Sequence, residues 1–469
     1  MGLSIPTIKD SEFEVAKTAV SRIYPKALEI LEGLVRIPGI AWDAFDEQQL
    51  VLSAESVKDL FEGTEIFDEV EILQAHYGDG KLGAPAVVAT RKAKNSRPTI
   101  LLYAHHDVQP PGDESLWDSA PFDPEVRNGR LYGRGAADDK AGVVAHYAAV
   151  SALAELAGAD FDLGLAVFIE GEEEAGSPSF KNFLSQYRDK LEADVIIVAD
   201  SGNWSTTVPA ITTTLRGLVS LELEVRTLGH AVHSGMYGGA VPDAMMAFIK
   251  IMDSIWDENG SVSILGLISN QTSDLVYSED QLRADSGLLP STLPIGTGGI
   301  LPRIWTKPAL SIIGLDYPSV ALSSNTLIPS LKAKLSLRIA PGEDPERALE
   351  ALKGHILAHN PLGAEISFGA VELGKPFSLG ESGWAKSLAE QALELAYGHK
   401  SVDIGIGGSI PFIAELERVY QSAQVLVTGV EDPDSRAHSP NESLHLESFR
   451  SAILAQLLFL LGGNQISQQ

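Results

Sequence analysis

The chain has 469 residues, 44% hydrophobic and 21% charged, enough for two or three domains with sizeable cores. Its 35 basic residues against 63 acidic ones leave a net charge of -28, which argues against nucleic acid and against an anionic membrane surface as partners. There is no cysteine, which excludes disulfides and thiolate metal sites, so a metal here must be held by His, Asp and Glu.

The opening MGLSIPTIKDSEFE has no basic start followed by an apolar core, so no signal peptide is expected. Residues 11–35 carry Phe13, Val15, Ala16, Ala19, Ile23 and Leu28 at helical spacing. Residues 99–104 (TILLYA), 164–169 (GLAVFI) and 195–199 (VIIVA) read as strands buried on both faces, with a buried helix predicted over 142–156. Strands alternating with helices predict an α/β domain with a mostly parallel sheet and helices on both faces. From about residue 212 to 375 the pattern changes. LVSLELEVRTL and LKAKLSLRIA alternate apolar and polar residues, as half-exposed antiparallel strands do, and helices are predicted over 243–256 and 344–359. This stretch reads as an α+β insert. The α/β pattern resumes with a helix over 384–396 and a strand over 424–427. The late apolar run AILAQLLFLLGG is too short to span a bilayer and is broken by Gln456, so a cytoplasmic protein with no membrane contact is expected.

Each of the three buried strands runs into metal-competent residues: His105-His106-Asp107, then Glu170-Gly171-Glu172-Glu173-Glu174, then Asp200. Ligands of open α/β sheets bind beyond the carboxyl ends of the strands, so these three ends can converge. Singly, each has an ordinary reading: a surface loop, a solvated acidic turn, a turn former. Together, carboxylates crowded at one place repel each other unless a cation neutralises them. LYGRGAADDKAG adds Asp138 and Asp139 just before the buried helix, where the plain alternative is a helix N-cap. His438, in SRAHSP, follows the late strand.

YAHHDVQP, WDSAPFDP, LYGRGAADDKAG, EGEEEAGS, HSGMYGG, GGSIP and AHSPNE occur together and in order. Their set resembles the dinuclear-zinc metallopeptidase family of carnosinases and related dipeptidases, glutamate carboxypeptidase, aminoacylase and succinyl-diaminopimelate desuccinylase. DVQPP, Trp117 and Pro121-Phe122 fit its carnosinase-like dipeptidase branch best.

The resemblance implies a catalytic domain over 1–211 and 376–469 and an inserted lid and dimerisation domain over 212–375. It implies two Zn2+ per chain, with Mn2+ or Co2+ as possible substitutes. His105 and Glu174 are then expected on one ion, His438 and Asp200 on the other, and Asp138 between both. Glu173 is the expected general base, passing the proton of a water to the leaving amine. Both Glu173 and Glu174 must face the site, so the strand must already have ended there. Asp107 is expected to orient His105. His233, in the HSG motif, is expected to act across a homodimer interface on the oxyanion of the partner's substrate. Arg338 is expected to read the substrate's C-terminal carboxylate, with Thr326, Gly408 and Ser409 as further substrate contacts.

The implied activity is hydrolysis of dipeptides or short peptides with a free C-terminal carboxylate. A deacylase acting on N-acyl amino acids shares the same metal chemistry, and an inactive binding homologue is the alternative of another class. All expected ligands and Glu173 are present, which speaks against the last. One departure stands out: the family branch carries Arg-Glu before GGSIP, where this chain has Gly405 and Ile406.

Overall fold

The computed structural model describes residues 6–78, 80–158, 160–269, 273, 275–380, 383–408 and 411–466. The chain divides into two compact units, the first made of residues 1–213, 379–404 and 415–469, the second of 214–378 and 405–414. The segment 405–414 belongs with the inserted unit, where the sequence reading had placed it in the catalytic part.

The first unit is built on a sheet whose strands run in the order Glu69–Leu73, Ala86–Arg91, Gly164–Glu170, Thr99–His105, Val195–Val198, Gln424–Val427, Ala210–Leu215. The four strands from Gly164–Glu170 to Gln424–Val427 are parallel, and the flanking ones are antiparallel. Alternation along the strands divides the core. Ile100, Leu102, Ala104, Leu165, Val167 and Ile169 face one large apolar cluster with the helices Asp10–Val35, Lys140–Ala157, Trp384–Tyr397 and Leu446–Gly463. Tyr103 and Phe168 point to the other face, where Phe168 stacks on Phe180 and Phe183. The late apolar run is longer than its sequence suggested. It belongs to the 18-residue helix Leu446–Gly463, long and apolar enough by length and composition to cross a membrane, but largely buried inside this unit as a core helix.

Parallel register brings the ends of the central strands level. His105 lies opposite Glu170, and Tyr103 opposite Val198, so Asp200 follows two residues beyond. The first three site segments therefore leave the same edge of the sheet.

The second unit holds a four-stranded antiparallel sheet in the order Ala309–Asp316, Ser330–Ile339, Gly217–Arg226, Glu365–Gly374. Val219, Leu221, Leu223 and Val225 face a core closed by the helices Ala244–Asp253 and Pro345–Ala358. The intervening polar residues face outward, which is the period-2 pattern of a sheet covered on one side.

Candidate metal centre

The strand Thr99–His105 delivers a fully buried imidazole. His105 Nδ1 lies 3.1 Å from the carbonyl oxygen of Asp107 and 3.4 Å from its Oδ1, while Nε2 lies 3.0 Å from Asp138 Oδ1. Burial alone would push this imidazole down, but the hydrogen bonds to Asp107 and Asp138 hold it well above the ordinary histidine value. The other oxygen of Asp138, Oδ2, lies 3.0 Å from His438 Nε2. One carboxylate thus faces a different histidine with each oxygen. Burial opposes ionisation of Asp138, but those two hydrogen bonds keep its carboxyl well below the usual range.

His438 arrives on the late loop in a left-handed backbone conformation and also lies 3.2 Å from Glu174 Oε2. Its hydrogen bonds to Asp138 and Glu174 raise it to about 11. Its side chain is 57% exposed and that of His105 is 0%, so the centre opens to solvent on the His438 side.

The strand Gly164–Glu170 stops where required, and residues 173–176 form a turn. Gly171 fits this exit closely: a Cβ there would meet the Pro85 carbonyl oxygen at 2.3 Å and His106 Nε2 at 2.8 Å. Asp107 then holds both following glutamates. Its Oδ1 accepts from Glu173 N–H at 3.2 Å and its Oδ2 from Glu174 N–H at 3.1 Å. One buried aspartate therefore ties the His105 loop to the glutamate turn.

Two groups of donor atoms result, each with its atoms within 4.8 Å of one another: His105, Glu173 and Asp200, and Asp138, Glu174 and His438. The private pairing is the reverse of the expected one. Glu174 sits with His438, and Asp200 with His105. The order of strand ends is readable in a sequence, but the directions in which the following turns aim their side chains are not. Burial, reinforced by the neighbouring carboxylates, pushes Glu173 well above the ordinary range, with Asp200 its largest charged contributor. Burial likewise raises Asp200 to about 7. The nitrogen and oxygen donors of both groups fit cations, whose charge would offset the crowded carboxylates.

Asp139 is the N-cap residue of the helix Lys140–Ala157 but makes no capping hydrogen bond; its Oδ2 accepts from His105 N–H at 3.2 Å. His106 is buried with Nε2 2.8 Å from the Pro85 carbonyl oxygen, and burial lowers it to about 4, a neutral packing residue. Glu172 does not belong to a solvated turn. It is buried, and its carboxylate accepts from Ala84 N–H and Ser179 N–H.

Sequence reasoning missed two neighbours of the centre. Gln109 donates from Nε2 to Glu174 Oε2 at 2.7 Å, and it stands in the same HHDVQ segment as His105. Glu431 is pushed well up by burial and by Asp138 and Asp200. It follows the end of the parallel strand Gln424–Val427, the same kind of position that singled out Asp200.

The remaining candidates lie in the second unit. His233 and Thr326 are direct partners in a short antiparallel ladder, and His233 Nδ1 accepts from Gly235 N–H at 3.0 Å. Arg338 lies on Ser330–Ile339 between Leu218 and Ala309. Burial lowers its pKa, opposed by Glu372. Gly408 is in the bend after the strand Val402–Ile406, and Ser409 lies outside the described residues.

The sequence model of peptidase family M20/M25/M40 matches residues 101–461. A cysteinylglycine-S-conjugate dipeptidase of Corynebacterium striatum is 34% identical over 383 residues, 81% of this chain and 84% of that protein. The Cys-Gly metallodipeptidase dug1 of Schizosaccharomyces pombe is 28% identical over 90% of this chain and 92% of its own length. The solved structure of the dipeptidase Dug1p from Saccharomyces cerevisiae superposes with a TM-score of 0.81 at 22% identity, covering 97% of this chain and 99% of that one. Human carnosine dipeptidase 1 follows with a TM-score of 0.79 at 22% identity, over 98% of this chain and 100% of that one.

Proposed function

The chain belongs to peptidase family M20/M25/M40 and is a metal-dependent hydrolase of the dipeptidase type, and we propose that it cleaves dipeptides with a free C-terminal carboxylate using two metal ions. The observation that carries this reading is the Asp138 carboxylate, whose two oxygens each lie 3.0 Å from a different histidine. Asp138 would help to hold both ions, one together with His105 and Asp200 and the other with His438 and Glu174. All donors are nitrogen or oxygen, which suits Zn2+ and admits Mn2+ or Co2+. Bound there, the ions supply Lewis-acid polarisation of the scissile carbonyl and lower the pKa of a bound water.

The protein's own groups do the rest. Glu173, raised by burial and by Asp200, suits proton uptake from the attacking water and its delivery to the leaving amine. Asp107 fixes the tautomer of His105 and the direction of Glu173 and Glu174. In the second unit, Arg338 suits bidentate pairing with the substrate carboxylate, with Thr326, Gly408 and Ser409 as neighbouring substrate contacts. His233 suits oxyanion stabilisation in a partner subunit's site.

A homodimer through the inserted unit is supported by the edge strand Ala309–Asp316, which exposes Ile313 and Leu315, and by Met246 and Ile249 on the helix Ala244–Asp253. The departure at Gly405 has a local cause: a Cβ there would meet Thr214 Oγ1 at 2.7 Å and Trp305 Cβ at 2.8 Å. An arginine does not fit this strand position without displacing both, so substrate charge selection by an Arg-Glu pair is absent here. Cys-Gly and its S-substituted forms, which give the relatives their names, head the expected substrates.

The test is a panel of Cys-Gly, β-Ala-His, other dipeptides and N-acetyl amino acids, assayed with chelated protein before and after adding Zn2+, Mn2+ or Co2+. Activity should vanish on chelation, return at about two equivalents of metal, and favour dipeptides. Turnover by rigorously metal-free protein would overturn the metal reading, and a preference for N-acetyl amino acids would overturn the dipeptidase reading.

Arg338→Ala should weaken transition-state binding of free-acid dipeptides by about 2–5 kcal/mol if the pair is desolvated. C-terminally amidated dipeptides should lose far less. Equal losses for both series, read as kcat/KM, would show that Arg338 does not pair with that carboxylate.

A further inference from the structure

The centre depends on where the Asp138 backbone is held, and one buried side chain holds it. Asp138 stands at the end of the loop between the strand Arg130–Tyr132 and the helix Lys140–Ala157. Three backbone N–H groups of this loop converge on the carboxylate of Glu442. Oε1 accepts from Ala137 at 2.9 Å and from Asp138 itself at 3.1 Å, and Oε2 accepts from Gly135 at 3.0 Å. Arg134 Nη1 adds a fourth donor to Oε2 at 2.5 Å. The convergence needs Gly135 in a left-handed conformation, φ +81°, where a Cβ would lie 2.5 Å from Val108 Cγ1.

Glu442 is also tied at its own backbone, because its carbonyl oxygen accepts from Gly133 N–H at 3.0 Å. It stands four residues after His438 on the late loop. That loop is pinned by Ser443 N–H to the Ser435 carbonyl at 2.9 Å, and Arg130 fixes it further with two hydrogen bonds to Asp432, at 3.1 and 2.9 Å. One residue therefore locks the segment carrying Asp138 to the segment carrying His438, and both Glu442 and Arg134 are fully buried.

We propose that Glu442 is a positioning residue for the dinuclear centre: by clamping the Gly135–Asp138 backbone it sets the distance between the Asp138 carboxylate and His438. The inference rests on the two-ion reading above and deepens it. A glutamine at 442 keeps the shape but not the pattern. Its NH2 end must face either Arg134 and Gly135 N–H or Ala137 and Asp138 N–H, setting donor against donor. It also leaves the buried Arg134 charge without its partner.

Metal-free wild-type and Glu442→Gln proteins are titrated with Co2+, following the visible absorption of the bound ion and the far-ultraviolet circular dichroism, and kcat and KM are then measured. The expected result is an unchanged circular dichroism spectrum, altered cobalt bands and affinity for one equivalent weakened by about 10–100-fold. At saturating Co2+, kcat should fall with KM nearly unchanged, since substrate contacts are not involved. Folded Glu442→Gln protein with wild-type cobalt bands and wild-type affinity for both equivalents would overturn the inference. If Glu442→Gln does not fold, the double variant Arg134→Met/Glu442→Leu removes the buried charges together while still depriving the loop of its acceptor. Wild-type cobalt binding by that folded variant would overturn it equally. A parent chain that takes up fewer than two equivalents would instead bring down the two-ion reading, and it would do so without any variant.

Discussion

Glu173→Gln should still take up metal yet lose about 10²–10⁴-fold in kcat, the usual contribution of general acid–base catalysis. The amide is isosteric and keeps the turn intact, because Asp107 grips the backbone N–H of residue 173 and not its side chain. What is lost is the ability to accept a proton. Glu173 lies in the donor group of His105 and Asp200, so it has a second conceivable role as a ligand. Metal analysis beside steady-state kinetics separates the two. Near-normal metal content with collapsed kcat supports the base, whereas loss of one equivalent with appreciable residual turnover would assign Glu173 to the metal and leave the base unassigned.

Asp138→Asn is expected to act differently, removing both ions' affinity at once. Asp138 approaches both histidines, one with each oxygen, and no other side chain does so among the described residues. Asparagine offers one carbonyl oxygen and turns an NH2 toward one of the two positions, so one ion meets a donor where it needs a lone pair. The lost negative charge weakens the other. Alterations one step removed from a metal cost about 10–100-fold in affinity, so loss of a shared ligand should exceed that. Equilibrium dialysis against Zn2+ measures it. An Asp138→Asn protein retaining two tightly held ions would show that the carboxylate is not shared.

Much of this centre was legible in the sequence because its parts sit at positions that topology privileges. His105, Glu170–Glu174 and Asp200 follow apolar runs that can only be interior strands, and parallel strands bring such ends level. Residues that act through turns were harder to read. Whether Glu174 turns toward His105 or His438 depends on the conformation of residues 171–176, and no periodicity encodes that. Gln109 and Glu442 escaped notice for a different reason. Their importance lies in hydrogen bonds across long sequence separations, one from Gln109 and four to Glu442, and the motifs that contain them, HHDVQ and AHSPNE, do not reveal such partners. The same holds for Glu172, whose neighbours in EGEEE suggest a solvated acidic run, although the tight exit at Gly171 turns it inward onto Ala84 and Ser179. In the second unit the alternating strands were plain. The allegiance of 405–414 was not, because a chain can leave one unit and visit another without any change in composition.

The helix Leu446–Gly463 closes the apolar cluster formed with Asp10–Val35 and Lys140–Ala157. On a ribosome, those two early helices emerge long before their covering partner, and the whole inserted unit is translated in between. Through that interval the nascent chain exposes the apolar faces of those helices that the late one will cover, and His438 is not yet available to the carboxylates already made. Completion of the hydrophobic core and of the ligand set are therefore late, nearly simultaneous events in synthesis. A protein so arranged has a long window of dependence on chaperones, and the proposed ligand set stays incomplete until the segment carrying His438 has emerged.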